Sequence, residues 1–125
     1  MRINIITSAF LLGAAALFLQ SCTANALPKV KNASYQSYNI SGEKGYYATF
    51  ELSEDSFPAT AVVINRIQQN ISASHKTGLK YNVNVISQSR KIFGFKPKVT
   101  DRENGIFFKT DTAEVFKPVN FKLQK

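Results

Sequence analysis

Few side chains in this 125-residue chain belong to the types that carry out chemistry. It has one cysteine, Cys22, and one histidine, His75, which lies in a polar stretch and is expected at the surface. One thiol cannot close an intrachain disulfide, and one histidine cannot supply a histidine-based metal site. Asp101 and Glu103 lack the alternating oxygen ligands of a calcium loop, so residues 101–105 are expected to form a turn. Because nucleophile motifs and phosphate-binding loops are also missing, the sequence predicts no enzyme, cofactor, metal site or small-molecule substrate.

The first 21 residues have the composition of a secretion signal. A short basic start at Arg2 precedes an apolar run over residues 3–19, which ends at Gln20. A membrane-spanning helix needs about 20 apolar residues. This run is shorter and contains polar residues, so we expect a signal peptide over residues 1–21 rather than a membrane span.

The sequence around Cys22 predicts that this thiol is lipidated. Residues 19–22, Leu-Gln-Ser-Cys, resemble the bacterial lipobox, although Gln20 replaces the usual small residue. Two or more acyl chains hold a protein stably on a membrane, whereas one chain holds it only marginally. We therefore expect a lipid anchor on Cys22 and a tether over residues 22–28. The alternative is a soluble secreted protein that is cleaved after Ala24 or Ala26.

The remaining chain is strongly basic, and one segment concentrates the charge. Arg2 is the only charged residue before Cys22, so the rest has 15 basic and 8 acidic residues, a net charge of +7. Segment 90–98 mixes cations with aromatic rings, which suits an acidic protein, an anionic membrane or a nucleic acid. A secreted protein does not ordinarily meet nucleic acid, so a protein partner or a membrane surface is expected. The alternative is a solvated loop whose phenylalanines close the core. The candidate contact residues are Arg90, Lys91, Phe93, Phe95, Lys96 and Lys98.

Alternation of apolar and polar residues predicts a β-rich domain over residues 29–125. It is clearest in residues 46–52, 79–85 and 119–123, and Pro118, just before the last of these, indicates an edge strand or a strand start. Further strands are expected over residues 30–40 and 106–108. The predicted core residues are Phe50, Leu52, Tyr81, Val83, Val85, Val119 and Phe121.

Residues 58–72 are compatible with two structures. Apolar residues fall on a helical stripe, Ser56 could cap a helix, and Pro58 suits a first helical turn. The β-branched run Val-Val-Ile at residues 62–64 instead favours a long central strand. Two packed antiparallel sheets, with one helix at most, are the simplest fold for such a chain.

The basic composition, the lipobox cysteine and the β-rich domain together resemble the outer-membrane lipoproteins of type VI secretion systems, the TssJ-like family. The resemblance implies a transthyretin-like or immunoglobulin-like β-sandwich on the periplasmic side of the outer membrane. It also implies a structural subunit, required for secretion and virulence, that binds the periplasmic part of an IcmF-like (TssM-like) inner-membrane protein. Thr23, after the cysteine, resembles the sorting pattern for the outer membrane.

In that family a long loop between the first two strands contacts the partner. Here the corresponding break is short and consists of Ser41, Gly42, Glu43, Lys44 and Gly45. If this loop cannot reach the partner, segment 90–98 is the substitute contact. The alternative function is a periplasmic binding or inhibitor module, such as an inhibitor of lysozyme.

Overall fold

The computed structural model describes residues 27–125, and the predicted signal peptide, Cys22 and residues 23–26 lie outside the described residues. The described chain forms ten β-strands and one short 3-10 helix, Ala73–His75. The strands are β1 Val30–Ile40, β2 Glu43–Leu52, β3 Ala59–Ile64, β4 Ile67–Asn70, β5 Lys76–Thr77, β6 Lys80–Ser89, β7 Lys98–Val99, β8 Gly105–Lys109, β9 Glu114–Pro118 and β10 Lys122–Leu123.

The strands form two five-stranded sheets, which confirms the predicted two-sheet β-sandwich. Sheet I has the order β10-β1-β2-β6-β5, and sheet II has the order β7-β4-β3-β8-β9. All pairs are antiparallel except β1 with β10, which is parallel. In sheet I, Val30 pairs with Leu52 and Ile40 pairs with Glu43, so β1 and β2 form one long hairpin.

The core lies between the sheets and consists of the alternating residues that the sequence pattern selects. Phe50 stacks on Tyr81 with ring centroids 4.7 Å apart, and Phe121 meets Phe50 edge-on. Of the seven predicted core residues, Val119 is only partly buried, although it packs against the core. The others are buried: Phe50, Leu52, Tyr81, Val83, Val85 and Phe121.

The predicted last strand is shorter than expected, and Pro118 has a different place. Pro118 does not start a strand; it ends β9, an edge strand of sheet II, as the edge-strand interpretation required, and it pairs with Gly105. Only Lys122 and Leu123 form the final strand, against Ser34 and Tyr35 of β1. A proline has no N–H for a ladder, and both ends of an edge strand accommodate it.

Of the two interpretations of residues 58–72, the helix is wrong, because this segment contains the hairpin β3–β4. Asn65 and Arg66 have φ of 49° and 72°, which is the left-handed pair of a two-residue hairpin turn. The Asn65 amide donates to Asn104 Oδ1, and the Arg66 amide donates to the Glu103 carbonyl. Strand β3 is the central strand of sheet II, as the alternative interpretation required, but it ends at Ile64.

The packed domain begins earlier than residue 29. Leu27 is buried in the core cluster and Pro28 is fully buried, while Lys117 Nζ donates to the Pro28 carbonyl over 2.9 Å. Only residues 23–26 therefore separate Cys22 from the folded part. Within residues 27–125 there is no helix with the length and apolar character needed to cross a membrane.

Candidate partner-binding surface

The two segments that the sequence singled out for partner contact are neighbours in the fold. Strand β2 pairs with β6, and its first residues, Glu43 and Lys44, lie opposite Ser89 and Gln88. The Arg90 amide donates to the Gly42 carbonyl over 2.9 Å. Residues 41–45 and segment 90–98 thus share one end of sheet I, which we call the distal end because Leu27 lies beyond the opposite end.

The distal end is separated from Leu27 by the whole length of β1. The Ser53 amide donates to the Lys29 carbonyl, so the chain enters sheet I beside the end of β2. Ile40, ten residues after Val30, lies next to the turn that leads into β2. At about 3.3 Å per strand residue, these two ends are roughly 30 Å apart.

The connection between β1 and β2 is shorter than the predicted break over residues 41–45. Only Ser41 and Gly42 form the turn, with φ of 54° and 85°, and Glu43, Lys44 and Gly45 already belong to β2. Two successive left-handed residues make the tight turn that suits a twisted hairpin. The carbon stem of Arg90 lies close to Gly42. The connection between β1 and β2 is therefore a tight turn covered by Arg90, not the longer break expected over residues 41–45.

Segment 90–98 carries the most exposed aromatic side chain of the domain at its tip. The Phe95 amide donates to the Ile92 carbonyl, and Gly94 has φ of 71°, so residues 92–95 form a β-turn. A positive φ at the third position is the requirement of a type II turn, which glycine meets without strain. Phe93 occupies the corner of this turn and is fully exposed, at 105% of its reference area. Phe95, by contrast, is half-buried.

Segment 90–98 carries positive charge and contains no carboxylate. It has four Lys and Arg and no Asp or Glu, and residues 41–45 add one charge of each sign, Glu43 and Lys44. One ion pair occurs within residues 27–125, between Lys76 and Asp55 over 2.6 Å, and the pKa of Lys76 is raised by this hydrogen bond. The cations of segment 90–98 are exposed and are therefore available to an acidic partner. These are Arg90, Lys91, Lys96 and Lys98.

An aromatic pair lies beside these cations on the outer face of sheet I. Tyr38 and Tyr47 stack with ring centroids 4.3 Å apart and an interplanar angle of 18°. The Tyr38 hydroxyl donates to Glu43 Oε2 over 2.7 Å. Burial and the hydrogen bond to this carboxylate both raise the pKa of Tyr38, which favours its protonated, hydrogen-donating form.

Gly45 makes the approach of the Tyr38 ring possible. A Cβ at Gly45 would lie 3.1 Å from Tyr38 Cε1 and 2.2 Å from the Val85 carbonyl oxygen. The second distance is far below van der Waals contact, so a side chain here would push β2 away from β6. We conclude that Gly45 allows β2 to pair with β6 and allows the Tyr38 ring to pack against β2. Gly45 has no side chain with which to contact a partner.

The other residues that the sequence analysis considered for chemistry do not come together in the fold. His75 Nδ1 accepts a hydrogen bond from the Ser72 amide, which engages it in a local turn. Asp101 and Glu103 lie in the exposed, irregular connection between β7 and β8, and Gly105 already belongs to β8. Within residues 27–125, no three His, Cys, Asp or Glu side chains come together as a metal site would need.

Sequence reasoning missed the contribution of Tyr38, Tyr47 and Ile40 to this end of the sheet. Tyr47 lies on the polar phase of β2, with Thr49 and Glu51, and remains 39% exposed. A large aromatic residue on the polar phase of an alternating strand is the signal that could have identified it, because that phase faces solvent.

No family model matches this chain, and neither the curated proteins nor the solved structures contain a match to it. We therefore infer function from the chemistry of the distal end and from the sequence around Cys22.

Proposed function

We propose that the chain is an outer-membrane lipoprotein and a structural subunit of a type VI secretion membrane complex. In this proposal the lipid on Cys22 holds the domain at the periplasmic face of the outer membrane. The distal end binds the periplasmic part of an IcmF-like inner-membrane protein, and the protein connects the two membranes. The resemblance to the TssJ-like lipoproteins motivates this assignment.

The observation that carries the proposal is the separation of two functional ends. The chain enters the domain at Leu27, one end of sheet I, and the basic and aromatic side chains cluster at the other end. Residues 23–26 extend at most about 14 Å at 3.3–3.6 Å per residue. An anchor at Cys22 would therefore keep the first end near its membrane and direct the distal end, roughly 30 Å further along β1, toward the periplasm.

This arrangement favours a protein partner over the anchoring membrane as the ligand of segment 90–98. To touch the membrane that holds Cys22, the domain would have to lie on its side. An upright domain instead presents Phe93 and the surrounding cations to a soluble acidic surface. Complementary charge raises the association rate, and the effect weakens as salt shortens the screening length below about 10 Å.

Replacing Cys22 by Ser is expected to remove the protein from the membrane fraction. Lipid transfer requires the sulfur atom, and the chain has no second cysteine that could take its place. Metabolic labelling with a fatty acid, followed by fractionation, measures the effect. Replacing Ser21 by Ala is the matched control, because it keeps a small residue before the cysteine and should leave labelling intact. A Cys22→Ser protein that is still labelled and still sediments with the outer membrane would contradict the lipid anchor.

A further inference from the structure

The exposed apolar side chains of the domain are not scattered. Residues 27–125 expose six large apolar side chains; three of these, Ile40, Ile92 and Phe93, lie in or directly beside the distal end, and Tyr47 lies two residues after Gly45 in β2. A fifth, Val99, comes directly after segment 90–98. Scattered single apolar residues are normal on a protein surface, whereas a concentration beside unbalanced charge marks an interaction site.

The stacked tyrosines form a rigid base within this cluster. In sheet I, Tyr38 lies opposite Gly45 and Gln36 lies opposite Tyr47, so the two rings are diagonal neighbours on the same face. The Tyr38 hydroxyl donates to the Glu43 carboxylate, and its ring stacks on Tyr47 and lies over the backbone of Gly45. Tyr47 consequently presents one ring face to solvent at low conformational cost, as interface aromatic residues do.

The face continues from the tyrosines to segment 90–98. Ile86 lies opposite Gly45, and a Cβ at Gly45 would meet both Ile86 Cα and the Tyr38 ring. Ile86 also lines a cavity of about 200 Å³ between β4 and segment 90–98, so it connects the tyrosines to that segment. Glu43 supplies a carboxylate beside the tyrosines, and this carboxylate accepts a hydrogen bond from the Tyr38 hydroxyl.

We propose that Tyr47 is the central anchor of the contact surface and that the Tyr38–Glu43 pair is its positioning element. The partner that fits is an acidic protein segment with an apolar or aromatic residue among its carboxylates. The apolar residue packs on the exposed face of Tyr47, and the carboxylates meet the cations of segment 90–98. This inference rests on the proposed function for the identity of the partner, but not for the chemistry of the surface.

A peptide of known composition tests the surface without the secretion partner. The probe is Glu-Asp-Glu-Phe-Asp-Glu, and its control has glycine in place of phenylalanine. We expect the mature chain carrying Cys22→Ser to bind the probe more tightly than its control, with NMR shifts centred on Tyr47 and segment 90–98. Tyr47→Ala should weaken binding about tenfold, as loss of a central aromatic contact does.

Two further variants separate anchoring from general destabilisation. Tyr38→Phe keeps the ring but removes the bond to Glu43, so the Tyr47 ring resonances should move and affinity should fall about threefold. Leu123→Ala, at an exposed apolar residue of β10, is the control and should bind as the wild type does. The inference is overturned if Tyr47→Ala binds normally, if the shifts map to another face, or if the chain binds phosphatidylglycerol vesicles through Phe93 and ignores the peptide. Peptide binding at Tyr47 without binding to any IcmF-like protein would defeat only the proposed function.

Discussion

Replacing Val83 by Asp is expected to unfold the domain. Val83 lies in the middle of β6, opposite Ala48, and its side chain is fully buried between the two sheets. A carboxylate at this position would have no cation beside it, and an unpaired buried charge costs about 3–5 kcal/mol. That loss is comparable to the total stability of a small domain, about 5–15 kcal/mol. Thermal melts of the mature chain should show a strongly lowered or absent transition.

The neighbouring position supplies the control for this experiment. Asn82 lies on the same strand, its side chain is exposed, and Asn82→Asp introduces the same carboxylate. A change at such a surface position is expected to stay within about 0.5 kcal/mol. If both variants lost stability equally, the strand register would be displaced by one residue, because a one-residue slip exchanges the buried and exposed faces.

Reversing the four cations of segment 90–98 is expected to abolish partner binding while the fold is retained. The variant replaces Arg90, Lys91, Lys96 and Lys98 by Glu, and all four side chains are exposed. Attraction to an acidic surface becomes repulsion, and close charge pairs in interfaces couple by about 1.5–7 kcal/mol. We expect affinity for the IcmF-like periplasmic region, measured by calorimetry, to fall by at least about 100-fold.

A second charge reversal distinguishes this surface from net charge alone. Lys29, Lys109, Lys122 and Lys125 are exposed and lie outside the two contact segments, so their reversal changes the net charge by the same amount. This control should affect binding much less. A third variant, Glu43→Ala with Lys44→Ala, tests the start of β2. Binding that is lost equally in both reversed variants would contradict a localised contact surface.

The sequence predicted the parts of the fold that follow from alternation of buried and exposed residues. Burial alternates over residues 48–52 of β2 and 80–85 of β6, so the predicted buried phase there was correct: Ala48, Phe50, Leu52, Tyr81, Val83 and Val85. Residues 58–72 failed because a helical stripe of apolar residues can also arise when a buried strand runs into a hairpin. The deciding feature was local turn chemistry at Asn65 and Arg66, since Asn readily adopts the left-handed conformation.

The candidate surface was only partly predictable for a different reason. The composition of segment 90–98 identified its cations and Phe93 directly. The pairing of Tyr38 with Tyr47 depends on strand register and on the absence of a side chain at Gly45, and neither is visible in a linear pattern. Strand pairing also brought residues 41–45 beside Arg90, which the sequence treated as alternative contacts.

The most direct test of the proposed function is the binding of the wild-type surface to its proposed partner. The mature chain carrying Cys22→Ser is titrated with the periplasmic region of an IcmF-like protein encoded in the same genome, at low and at high salt. We expect a saturable complex that weakens as salt increases. The absence of a complex at low salt, together with inhibition of a muramidase by the same chain, would contradict the secretion role and favour the inhibitor module.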